Sequence, residues 1–119
     1  MESLINNLSS ENKLNRTRAV ESLKNPTSET FHAIHDTFYG RTFSIQSTPW
    51  TEFDGILTAL TKLYSEHSGE LTHREGEIDA LRPKLMELLD FSEVRVRESA
   101  GKCHAAVCAF DKTVYRVVS

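Results

Sequence analysis

The stretch from Leu81 to Ala106, LRPKLMELLDFSEVRVRESAGKCHAA, carries two apolar stripes of helical period on either side of a short acidic turn. Ile78, just ahead of this stretch, and Leu81, Leu85, Leu88 and Leu89 recur at three- and four-residue intervals, and Pro83 inside that pattern predicts a kink. Beyond the turn, Ser92 is the expected N-cap, with Glu93 favourable in the first turn through the helix dipole. Val96, Ala100, Cys103, Val107 and Phe110 then form a second inward stripe. Each stripe must be covered, and the short turn makes the other helix the nearest cover.

Working back towards the N-terminus, the same grammar recurs. Trp50, Phe53, Ile56, Leu57, Leu60, Leu63 and Tyr64 trace the broadest stripe in the chain, opened by Thr48-Pro49 as cap and first-turn proline and closed by Ser68-Gly69. A helix from about Ser28 to Tyr39 carries Phe31, Ile34, His35 and Phe38, with Gly40 as its expected stop. Earlier still, a helix from about Glu11 to Lys24 presents Leu14, Ala19, Val20 and Leu23, and ends before Asn25-Pro26. Leu4, Ile5 and Leu8 make a short first helix ahead of a break at Ser9-Ser10-Glu11. After the last stripe, the tail TVYRVV is β-branched, but a strand needs partners and the chain offers none. It is expected to begin a next helix of a longer molecule or to pack as a terminal arm.

Composition narrows the classes of partner. With 119 residues the chain fits one domain and buries roughly two thirds of its unfolded surface. Hydrophobic residues make up 39% and charged ones 26%, a low apolar share that suits open helical layers. The net charge of −3 provides no attraction for phosphate backbones or anionic lipid, so neither nucleic acid nor membrane is an expected partner. No run is long enough to span a bilayer, and MESLINNLSS lacks the basic and apolar regions of a secretory signal. Cys103 and Cys108 sit about 140° apart around one helix, which keeps them from pairing and points to an intracellular, cytoplasmic or nuclear setting.

Three segments align on a small residue: Arg16-Thr17-Arg18-Ala19-Val20, Glu52-Phe53-Asp54-Gly55-Ile56 and Arg97-Glu98-Ser99-Ala100-Gly101. Their spacings, about 36 and 45 residues, bracket the roughly 40-residue period of two-helix solenoids. The third unit, with its proline, leucine-rich face, Asp90 and the Val96-Arg97 pair, resembles a HEAT repeat. Asp90 and Arg97 match the polar ladder of that family in type; the interval is one residue long unless Val94-Arg95 is the true pair. The resemblance is strongest over residues 81–107. It implies an all-α fold, a right-handed α-α superhelix of about three HEAT-like helix pairs, with units about 1–25, 28–68 and 70–110, a tail at 111–119, and the second helices lining a concave face. The apolar ends SLINNL and TVYRVV then imply a piece of a longer solenoid or a chain that oligomerises or docks through its ends.

Residues suited to chemistry do not assemble into a recognised catalytic pattern. His32, His35 and Asp36 suggest a metal site and resemble the adjacent His-Asp of helical phosphohydrolases, but only His32 precedes the pair, whereas His67 and His73 lie elsewhere. Cys103, His104 and Cys108 lack the turn spacing of zinc sites, and adjacent helical residues such as Cys103 and His104 point too far apart to share a proton. Scattered glycines form no phosphate loop. The expectation is therefore a non-enzymatic scaffold without cofactor or metal. Arg16, Arg18, Arg95, Arg97 and Lys102 are the candidate partner-binding residues, a basic stripe able to receive an acidic peptide or a neighbouring helical repeat. The alternatives are a closed helical-bundle adaptor and, third, a metal-dependent hydrolase built on His32, His35 and Asp36.

Overall fold

The computed structural model describes residues 2–66 and 75–115, and side chains over 3–66 and 80–109. All regular structure among them is helical: α1 (Glu2–Leu8), α2 (Lys13–Glu21), α3 (Ser28–Thr42), a 3-10 turn (Ile45–Ser47), α4 (Trp50–Glu66), α5 (Glu75–Leu88) and α6 (Val94–Tyr115). His67, His73 and the closing Ser68-Gly69 lie outside the described residues, as do the side chains of Ile78 and Phe110. The all-α expectation is met. Contacts group the chain as two compact units, Met1–Leu60 and Thr61–Ser119.

In the first unit, local hydrogen bonds set the helix ends. Asn12 is the N-cap of α2, its Oδ1 accepting from the Leu14 amide at 2.8 Å, so the helix starts two residues later than expected. Ser22 Oγ donates to the Ala19 carbonyl at 2.6 Å, and α2 stops at Glu21 instead of running to Lys24. Thr27 caps α3 by accepting from the Thr30 amide. Gly40 is no stop. The helix passes through it to Thr42, because Thr42 Oγ1 donates to the Tyr39 carbonyl and Thr48 Oγ1 to those of Arg41 and Ser44, satisfying acceptors that a glycine cap would otherwise serve. Thr48 thus donates backwards to the end of α3 instead of capping α4.

The apolar stripe of α4 is buried as its period requires: Phe53, Ile56, Leu57, Leu60, Leu63 and Tyr64 are sealed, and Trp50 is half-buried. Each fully buried leucine contributes roughly 1.5–3 kcal/mol relative to exposure. Of the expected face, Ala19 on α2 and Leu23 just beyond it are buried and Val20 is half-buried, but Arg16 is buried with them in place of Leu14. Leu14 is 53% exposed, since it lies about 200° around the axis from Arg16.

In the second unit, Leu81, Leu85 and Leu88 of α5 and Val96, Ala100, Cys103 and Val107 of α6 are fully buried, whereas Leu89 and Met86 face outward. Pro83 lies within α5, exposed. The residue that caps α6 is Glu93, not Ser92: its carboxylate accepts from the Arg95 amide and its carbonyl from the amides of Val96 and Arg97. Residues 113–115 continue α6 and do not start a new element.

Candidate functional site

The best-defined polar cluster is built around Arg16. Its side chain is 5% exposed. Nη1 donates to the carbonyls of Ser10 at 2.9 Å and Glu11 at 3.0 Å, and Nη2 lies 3.5 Å from Asp54 Oδ2 on α4. The guanidinium carbon stands 5.4 Å from the Trp50 ring centroid, a cation–π arrangement in a partly desolvated place. Next to it, Gly55 lets α4 meet the end of α1: an added Cβ there would overlap the main-chain carbonyl of Leu8 and reach Arg16 Cδ at 3.1 Å. One arginine thus holds together the α1–α2 turn and α4.

The same turn recurs before α6. Arg97 Nη1 donates to the Phe91 carbonyl at 2.7 Å and to that of Ser92 at 3.2 Å, the carbonyls six and five residues back, as for Arg16. Both turns also share an acceptor side chain bonded two residues ahead, from Asn12 to the Leu14 amide and from Glu93 to the Arg95 amide. In both, the arginine amide bonds the carbonyl four residues back, that of Asn12 or of Glu93. Arg97 therefore serves these carbonyls rather than pairing with Asp90. The aligned small residues Ala19, Gly55 and Ala100 are all buried. In the middle segment the arginine position is Glu52, which pairs with Arg41 of α3 at 2.8 Å.

The candidate basic stripe therefore divides by role. Arg16 and Arg97 are occupied by main-chain carbonyls. Arg95 pairs with Glu93 at 2.9 Å, and its guanidinium donating to that carboxylate holds the Glu93 carboxyl below the usual range. Arg18 and Lys102 are exposed. Arg18 lines a shallow groove of about 430 Å³ between α1 and α2, with Ser3, Leu4, Asn7, Asn15, Ala19 and Ser22.

The histidines and cysteines separate likewise. His35 is buried, and its Nδ1 donates to the Phe31 carbonyl at 2.7 Å, a bond internal to α3. His32 and Asp36 pair at 3.0 Å on the exposed face of the same helix, so the three do not converge on one point. Among the described residues no group of three or more His, Cys, Asp or Glu is placed to hold a metal ion. Burial pushes the Cys103 thiol up to about 12, opposed in part by a hydrogen bond with Thr61. Cys108 instead meets His104 one turn back, Sγ to Nδ1 3.7 Å. Both this pair and the partnership of Arg16 with Asp54 escape a reading confined to adjacent residues; the four-residue spacing of His104 and Cys108 is the signal that finds the first. The sequence matches no family model, no curated protein and no solved structure. No described helix is long and apolar enough to cross a membrane.

Proposed function

We propose that this chain is a non-catalytic protein-interaction scaffold of HEAT-like helix pairs. The observation that carries the reading is the twice-used arginine turn: Arg16 and Arg97 tie the start of α2 and of α6 to the carbonyls five and six residues back. Recurrence of one stabilising device at aligned positions is what stacked repeat units share. Arg16 and Arg97 then serve the fold, leaving Arg18 and Lys102 as the cations presented to an acidic partner segment. Glu52 in the arginine position of the middle segment favours a second reading, a closed helical-bundle adaptor in which only the outer helix pairs share a plan.

Partner capture from cell extract with mass-spectrometric identification, repeated with Arg18→Glu and Lys102→Glu, tests the function. The expected result is one reproducible partner, lost or weakened in at least one variant at unchanged helical circular dichroism. Binding indifferent to both variants and to salt removes the basic-surface reading, since exposed ion pairs weaken with ionic strength. An experimental structure in which α1–α2 and α5–α6 do not superpose removes the repeat reading and leaves the bundle.

A further inference from the structure

We propose that the groove between α1 and α2 binds a short peptide segment in which an Asp or Glu side chain neighbours an aliphatic one, with Arg18 as the recognising cation. The inference rests on the scaffold reading in taking a protein segment as the ligand. Asn15, Arg18 and Ala19 lie three and four residues apart on one face of α2, and Leu4 and Asn7 line the groove from α1. Of the arginines whose side chains are described, Arg18 alone engages no other group. Arg16, Arg41, Arg95 and Arg97 are held by carbonyls or carboxylates, and Arg82 is engaged as well. Asn7 likewise has no side-chain partner among the described residues. Asn15 donates from Nδ2 to Ser10 Oγ at 3.3 Å and keeps its Oδ1 as an acceptor.

No carboxylate lines the groove, so nothing within it competes for the guanidinium. An incoming carboxylate accepts two parallel N–H bonds from the Arg18 fork. Asn15 Oδ1 accepts from a main-chain N–H of the segment, and Asn7 donates to a main-chain carbonyl. Leu4, half-buried, and Ala19, buried, supply apolar surface against which the neighbouring aliphatic side chain packs. The groove volume of about 430 Å³ lies within the roughly 300–1,000 Å³ of small-ligand sites, room for a short segment. A phosphate group suits it less, because phosphate sites gather several cations or main-chain amides and this groove holds one cation.

Titration of the isotope-labelled full chain with the capped tripeptide acetyl-Leu-Glu-Leu-amide, followed by NMR, provides the test. The expected outcome is saturable shifts confined to α1 and α2, the side-chain amides of Asn7 and Asn15 among them. Replacing the peptide by its Leu-Gln-Leu counterpart, or Arg18 by Ala, is expected to weaken binding roughly tenfold, as loss of a charge-assisted bidentate contact does. Arg18→Lys should restore only part of it, since an ammonium lacks the fork. Lys13→Ala, an equal change of charge on α2 outside the groove, should leave the affinity within about twofold. Absence of saturable shifts, equal affinity for Leu-Gln-Leu, or indifference to Arg18→Ala overturns the proposal. Inorganic phosphate saturating the same signals at lower concentration than the peptide overturns it in favour of a phosphate site. Should Arg18→Ala lose its helical signal, the Glu-to-Gln comparison decides alone. A partner captured from extract without peptide binding removes this site and leaves the scaffold; peptide binding with no captured partner does the reverse.

Discussion

The carbonyl of Leu8, the last residue of α1, occupies the space beside Gly55 that any larger residue would need for its Cβ. The close approach brings the α1–α2 turn within reach of α4 and sets the position at which Arg16 meets Asp54. Gly55 is a packing residue in the middle of a helix, retained despite the conformational entropy a glycine loses there.

Gly55→Ala is therefore expected to destabilise the protein by about 2–3 kcal/mol, because the obstacle is main chain and cannot turn aside. Gly40→Ala, where nothing lies within 4 Å, and Gly101→Ala, where Leu89 Cδ2 would be an ordinary contact at 3.9 Å, should behave in the opposite way. Each is expected to gain roughly 0.5–1 kcal/mol from helix propensity. Urea denaturation of the three variants measures the contrast, and equal effects at all three sites would contradict the close approach.

The two arginine turns make the same hydrogen bonds at different depth. Arg16→Ala removes a buried guanidinium from two part-buried carbonyls and from Asp54 and is expected to cost about 2 kcal/mol. Arg97 is exposed, so water replaces its guanidinium and Arg97→Ala should cost about 1 kcal/mol or less. Arg16→Lys is not expected to rescue, since an ammonium lacks the planar fork that serves carbonyls and carboxylate together. Chemical denaturation curves with matched m-values provide the comparison.

At alkaline pH, Cys103 is expected to make folding pH-dependent. Its folded-state value is raised from the ordinary 9.0 to about 12, so the folded chain holds the proton more tightly than the unfolded one. The associated stability is complete below pH 9 and is lost as pH rises towards about 12. The stability difference between wild type and Cys103→Ala, measured by thermal melts across that interval, should shrink as pH rises. A constant difference would show that the thiol is not sealed.

At acid pH the sign is reversed for Glu93. Its carboxyl is held below the ordinary 4.5 by Arg95, so its contribution is present above that value and lost as pH falls through the lower, folded-state one. A carboxyl titration by NMR should place the Glu93 midpoint below that of a free glutamate, and Arg95→Ala should raise it only part of the way back, because the residue-95 amide still donates to the carboxylate and Arg97 remains nearby. No change on Arg95→Ala would refute the ion pair as its cause.

Much of the helical framework was legible because amphipathic period is local. The stripe of α4 is legible residue by residue, and so are the described parts of those of α5 and α6 except at Leu89, which lies past the end of α5 and faces outward. Even the alignment of Arg16 with Arg97 follows from an alanine three residues on. Helix ends were read less well at Gly40 and Ser92, where hydroxyls several residues away or a neighbouring carboxylate took the capping role. Leu14 is not legible as an exposed residue, because a helix only nine residues long has too few apolar positions to fix the phase of its buried face.

By itself, then, the sequence determined that the described chain is helical and which faces of its longer helices are apolar, since both follow from side-chain spacing and turn chemistry within a few residues. The tertiary structure decided what the polar residues do. Arg16 became a buried clasp because packing brought Asp54, 38 residues away, and a half-buried tryptophan to its side chain. Gly55 became indispensable for the same reason: a carbonyl from another helix arrives there, and no local pattern specifies that meeting.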